Sequence, residues 1–144
     1  MLAVALQALT LVANMLILTI RTDRPEAEVG LYDSGQQLVY ETWQAHRQLA
    51  ETIHLKVKTF LENQHKDWSD IQGIVAFQGP GSFTGLRIGL TVANALAQGL
   101  SVPIVTTQDP GWKETGVEKL IRGENDRVAL PFYGAPVHIT PQKK

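Results

Sequence analysis

The stretch from Gly79 to Leu90, Gly-Pro-Gly-Ser-Phe-Thr-Gly-Leu-Arg-Ile-Gly-Leu, carries the residue types of a ligand-binding loop. Glycine-rich turns that leave a strand and open a helix can aim several backbone N–H groups at one anion. A phosphate loop also needs lysine and a hydroxyl residue after its last glycine, and here Gly85 leads into Leu86 and Arg87. The dinucleotide pattern Gly-x-Gly-x-x-Gly fails as well, because the run is one residue too long and Pro80 lacks an N–H. What remains is structural. Gly79, Pro80 and Gly81 turn the chain sharply, Ser82 or Thr84 caps the next helix, and Gly85 and Gly89 let that helix approach a sheet closely.

Other reactive chemistries find little support. Ser82 does not sit in a Gly-x-Ser-x-Gly elbow, and no Ser-His-Asp set can be assembled with any specificity. His46, His54, His65 and His138 form neither a His-x-x-x-His nor a His-Glu-x-x-His pair, so no metal centre is expected. Cysteine is absent, which excludes disulfides, thiolate nucleophiles and zinc–thiolate sites together. The 144 residues carry a formal net charge of −1, too little for a global field that attracts nucleic acid. Lys113, Lys119, Arg122, Arg127, Lys143 and Lys144 are interleaved with Glu114, Glu118, Glu124 and Asp126, the pattern of an ordinary solvated surface.

The elements that position the loop follow from periodicity. The first twenty residues are uncharged, long enough for a membrane span, yet no lysine or arginine precedes them and no cleavage site follows. Their second part, from Met15 to Ile20, reads as a strand, so residues 1–14 are expected to be an extension ahead of the natural start at Met15. Runs at 16–20, 27–33 and 36–43, with a Ser34-Gly35 turn, read as an antiparallel three-strand meander. A helix over 46–64, a buried strand at 71–77, the loop, a helix to about Leu100 and a strand at 102–107 complete a right-handed parallel β-α-β unit. The sum is an α/β fold with a mixed five-stranded sheet, resembling the ribonuclease-H-like fold. Beyond Asp109 the signal weakens to one short helix and a possible strand at 127–133.

Two helical wheels suggest where a partner sits. In the first helix Leu49, Ile53, Val57, Phe60 and Leu61 share one side with Ala50, while Leu55 points away from them, a hint of an interface. In the helix after the loop Arg87, Thr91, Asn94 and Gln98 form one narrow polar stripe among apolar or small residues. That surface is more than one small domain covers, so either the C-terminal tail folds over it or another protein does.

The string over 73–105, GIVAFQGPGSFTGLRIGLTVANALAQGLSVPIV, closely resembles the signature of the TsaB (YeaZ) family. The resemblance extends more weakly over 17–38 and 46–70. It implies one lobe of the actin-like ATPase superfamily without nucleotide hydrolysis or cofactor. It further implies a cytoplasmic, non-catalytic subunit of the system that makes threonylcarbamoyladenosine on tRNA. The partner would be the catalytic TsaD-like subunit, assisted by a TsaE-like ATPase, or a second copy, with tRNA reached through the complex and no membrane. The motif loop would be Gly79, Pro80, Gly81, Ser82, Phe83, Thr84, Gly85, Leu86, Arg87 and Gly89, and the partner interface Leu55, Arg87, Leu90, Asn94 and Ala97.

The sequence departs from this family in two places. Where the family has Ile-Asp-Thr-Ser after the first strand, a remnant of a phosphate site, this chain has Ile20-Arg21-Thr22-Asp23. Arginine thus replaces the acid, and Asp23, two residues on, is expected to point elsewhere. The family's second lobe also has no counterpart, and 130–141 resembles the family's own ending. The expected division is an extension at 1–14, a first lobe at 15–109 and a short tail at 110–144. The alternatives are a vestigial nucleotide-binding enzyme, or a homodimer without the tRNA role.

Overall fold

The computed structural model describes residues 15–81 and 83–133. The elements are β1 (Leu16–Arg21), β2 (Glu26–Asp33), β3 (Gln36–Gln44), α1 (Leu49–Asn63), β4 (Gly73–Phe77), α2 (Phe83–Leu100), β5 (Ile104–Thr107) and α3 (Trp112–Ile121). They form one sheet in the order β3-β2-β1-β4-β5. The first three strands pair antiparallel, while β1 with β4 and β4 with β5 pair parallel. This is the ribonuclease-H-like arrangement expected from the pattern.

β1 lies at the centre of the sheet and is buried along its whole length. A strand covered on both faces has no solvent side, hence its predominantly apolar sequence. Alternation sends Leu18, Ile20 and Thr22 to one face and Ile17, Thr19 and Arg21 to the other. α1 and α2 cover the first face. The expected stripe of Leu49, Ile53, Val57, Phe60 and Leu61 is the buried side of α1, each such residue stabilising by about 1.5–3 kcal/mol. α3 covers the opposite face, with Trp112 edge-on to Phe77 at 5.8 Å and the Tyr32 hydroxyl donating to Glu114 at 2.7 Å. Burial, then the bond to Glu114, raises the Tyr32 pKa, and the same bond lowers that of Glu114.

The chain after α3 returns across the sheet edge. The Asp126 N–H donates to the Ile104 carbonyl at 2.8 Å and its carboxylate accepts from the Thr106 N–H at 2.8 Å, closing the outer edge of β5. Residues 127–133 then lie beside α2 as an irregular strap and not as the expected strand. The reason is in the hydrogen bonds. The Ala129 N–H donates to Asn94 Oδ1 at 2.7 Å and its carbonyl accepts from Asn94 Nδ2 at 2.9 Å, so a helix side chain occupies the groups a neighbouring strand would need. The Phe132 N–H donates to the Gln78 carbonyl at 2.9 Å, tying the strap to the end of β4.

Candidate functional site

Two features could carry function: the motif loop with the strand ends beneath it, and the outer face shared by α1 and α2. The loop's glycines serve close approach. Gly79 has φ +117°, and a methyl group there would overlap the Phe132 carbonyl of the strap. A methyl on Gly81 would overlap Asp23, and one on Gly89 would overlap the Thr22 hydroxyl. Thr22 Oγ1 also donates to the Gly85 carbonyl at 2.6 Å. The loop is thus mounted on the strap, on Asp23 and on Thr22. Leu86 is buried, Pro80, Thr84 and Arg87 are exposed, and Ser82 lies outside the described residues.

The strand ends beneath the loop hold a cluster of charges. Arg21 is 6% exposed, and its Nε and Nη2 donate to the two Asp23 oxygens at 2.6 and 3.1 Å. Its Nη1 donates to Asp109 at 3.0 Å, and its guanidinium carbon stands 3.7 Å from the centre of the Phe77 ring. Burial works against this charge, but hydrogen bonds to Asp23 and Asp109 outweigh it, and the Arg21 pKa is raised. Glu28, also buried, accepts from Arg24 at 2.5 Å and from the Tyr40 hydroxyl at 2.5 Å. The expectation that Asp23 points elsewhere is therefore corrected. It turns back onto Arg21, because a buried guanidinium at the end of β1 needs a nearby carboxylate.

This position, outside the carboxyl ends of parallel strands, is where α/β sheets commonly take ligands. Here Asp23, Glu28 and Asp109 are bound by the chain's own arginines. Among the described residues no group of histidine, aspartate and glutamate is arranged to hold a metal ion. His54 stacks near Trp68 at 5.3 Å, His46 and His65 are exposed, and His138 lies outside the described residues. Arg122 pairs with Glu124 at 3.0 Å, and Lys119 donates to the Thr106 carbonyl at 3.2 Å. These tail cations serve their own surface.

The face shared by α1 and α2 is different in kind. An open groove between the helices is made of two adjoining depressions that share Ala50, Thr91 and Val92, one lined also by Thr84, Arg87 and Ile88 and the other by Glu51, His54, Leu55 and Ala95. Leu55 is 64% exposed. Of the five interface residues expected from the sequence, Leu55 and Arg87 lie on this exposed side. Leu90 and Ala97 do not, being 4% and 5% exposed within the chain's own core. Both belong to the buried core cluster, so they are corrected from interface to core. Asn94 is likewise committed to Ala129. Ala50, Ile88 and Ala95, which line the same groove, were not among the residues expected from the sequence. Their signal was their place on the wheels, at the margin where two apolar stripes meet. Among the described residues no helix is long and apolar enough to cross a membrane.

Comparison with known proteins agrees with this geometry. The family described as TsaD, tRNA N6-adenosine threonylcarbamoyltransferase, matches residues 43–108, which run from the end of β3 through β5. The tRNA threonylcarbamoyladenosine biosynthesis protein TsaB of Escherichia coli (strain K12) is 29% identical over 130 residues, covering 83% of this chain and 54% of TsaB. The tRNA N6-adenosine threonylcarbamoyltransferase of Chromobacterium violaceum is 31% identical over 109 residues, covering 63% of this chain and 31% of that enzyme. The solved structure of YeaZ from Pseudomonas aeruginosa superposes with a TM-score of 0.60 at 26% identity, covering 66% of this chain and 44% of YeaZ. The chain thus spans about half the length of the TsaB relative it matches. The loop string, the sheet order and these relatives agree that the chain is similar to the TsaB (YeaZ) family.

Proposed function

We propose that this chain is a non-catalytic partner subunit that docks, through the α1/α2 face, on a TsaD-like enzyme forming threonylcarbamoyladenosine on tRNA. The observation that carries the reading is the apolar groove with Leu55, Ile88 and Ala95 beside an exposed Arg87 and Thr91. An apolar groove with a polar rim is the anatomy of a protein interface. The likeness of residues 43–108 to TsaD supports the same reading, since two related lobes can present equivalent helix pairs to one another. The non-catalytic role is supported by the strand-end cluster, whose carboxylates are engaged by Arg21 and Arg24. tRNA, and any TsaE-like ATPase, would then meet the chain through the enzyme, in the cytoplasm.

A second reading has its own support. A face that fits a TsaD-like lobe also fits a second copy of this chain, because this chain itself resembles TsaD over that region. The test is the light-scattering mass after gel filtration, first of the chain alone and then mixed with the TsaD-like enzyme. One mixed complex with one chain per enzyme supports the partner role. A homodimer that ignores the enzyme overturns it.

A further inference from the structure

Thr22 is the last buried residue of the central strand's edge to face α2, and it touches that helix twice. Its hydroxyl donates to the Gly85 carbonyl at 2.6 Å. One turn later, only the missing side chain of Gly89 makes room for the same hydroxyl. Two contacts one turn apart on a single peg fix both the depth and the rotation of the first two turns of α2. Those turns carry Thr84, Arg87, Ile88 and Thr91 to one side of the groove. With side-chain tips about 5 Å from the helix axis, a rotation of about 20° would displace them by roughly 2 Å.

The peg itself is held rigidly. Thr22 is 2% exposed, and its neighbours Arg21 and Asp23 bind each other through two hydrogen bonds. Arg21 reaches on to Asp109 beyond β5, and Asp23 lies under Gly81 of the motif loop. The charge cluster at the strand ends, which the docking reading leaves without a task, thereby clamps the backbone on both sides of the peg.

We propose that Thr22 is a positioning residue for the docking face, seating α2 through Gly85 and Gly89 so that its exposed side meets the partner in register. The inference rests on the docking reading, and the test separates the two. The full chain is titrated calorimetrically into the TsaD-like enzyme as wild type, Gly89→Ala and Gly89→Ala with Thr22→Ala. The second substitution removes the hydroxyl that the new methyl group would strike. Gly89→Ala should weaken binding by roughly tenfold or more, and the double variant, freed of the clash but without the hydroxyl bond to Gly85, should regain only part of that loss. Thermal melting of each variant accompanies the titration, and the informative readout is a loss and partial recovery of affinity in chains that remain folded at the titration temperature.

Undiminished binding by Gly89→Ala overturns the inference, as does a folded double variant with no recovery. Failure of the wild type to bind overturns the docking reading itself, and the inference falls with it. Should Gly89→Ala not fold, Thr22→Val is read against Thr22→Ser. The valine keeps the shape and loses the hydroxyl, so it alone should bind more weakly, and equal binding by both overturns the inference.

Discussion

Replacing Arg21 with methionine keeps an unbranched stem against Phe77 and removes the guanidinium. Asp23, 7% exposed, then loses both hydrogen bonds that Arg21 supplies. Glu28 keeps Arg24 and Tyr40, and Asp109 is 56% exposed and rehydrates, so the cost falls on Asp23. Breaking a buried pair from one side costs about 3–5 kcal/mol. Loss of the stack on Phe77 adds about 0.5–2 kcal/mol, partly offset by the methionine stem. For a chain of this size, a loss of about 3–5 kcal/mol lowers Tm by roughly 6–20 °C. Urea denaturation reads the change as a lower midpoint at unchanged slope. Arg21→Met with Asp23→Asn should recover part of the loss, because the orphaned charge is gone. A single-variant cost below about 1 kcal/mol, or a double variant showing the full sum of both single costs, would refute the buried clamp.

Leu55→Arg should abolish binding to the TsaD-like enzyme while stability stays within about 0.5 kcal/mol of wild type, since the side chain is largely in water. Calorimetric titration and thermal melting check the two halves, and intact binding would move the interface elsewhere. Asn94→Ala strips Ala129 of both backbone partners, which should cost about 1–3 kcal/mol and loosen the strap. Trypsin should then cut faster at the exposed Arg127, and an unchanged cleavage rate would mean that the strap is held by other contacts. Burial and the bond to Glu28 push the Tyr40 pKa up to about 12. A folded value above the unfolded one contributes stability that is complete below about pH 10 and is lost as pH rises through 12. Tyr40→Phe should flatten part of that alkaline loss, with buried Tyr32, shifted in the same direction, supplying the rest. Identical alkaline profiles would disprove the assignment.

How much of this was legible in the sequence depends on the range of each interaction. The strand runs between Leu16 and Gln44 and the α1 stripe are local patterns, and the fold follows from them. The close approach of Gly89 could also be anticipated, because a glycine inside a helix costs stability unless packing uses the space. The pattern left α2's apolar flank open between tail and partner, and the chain after α3 takes a share of it. Leu90 and Ala97 are buried within the chain, while Ile88 and Ala95 stay in reach of solvent. Nothing local could decide that division, because it turns on Asn94 meeting Ala129, 35 positions away. Arg21 shows the same limit. Its type announced a departure from the family, but its partner Asp109 lies 88 positions along the chain.

The docking proposal places the partner on the α1/α2 face. Amide hydrogen exchange of the full chain, free and saturated with the TsaD-like enzyme, tests it directly. Slower exchange is expected to be confined to the stretches around Ala50–Leu55 and Thr84–Ala95, with α3 unchanged. Protection of α3 in place of those helices, or of neither, would contradict it.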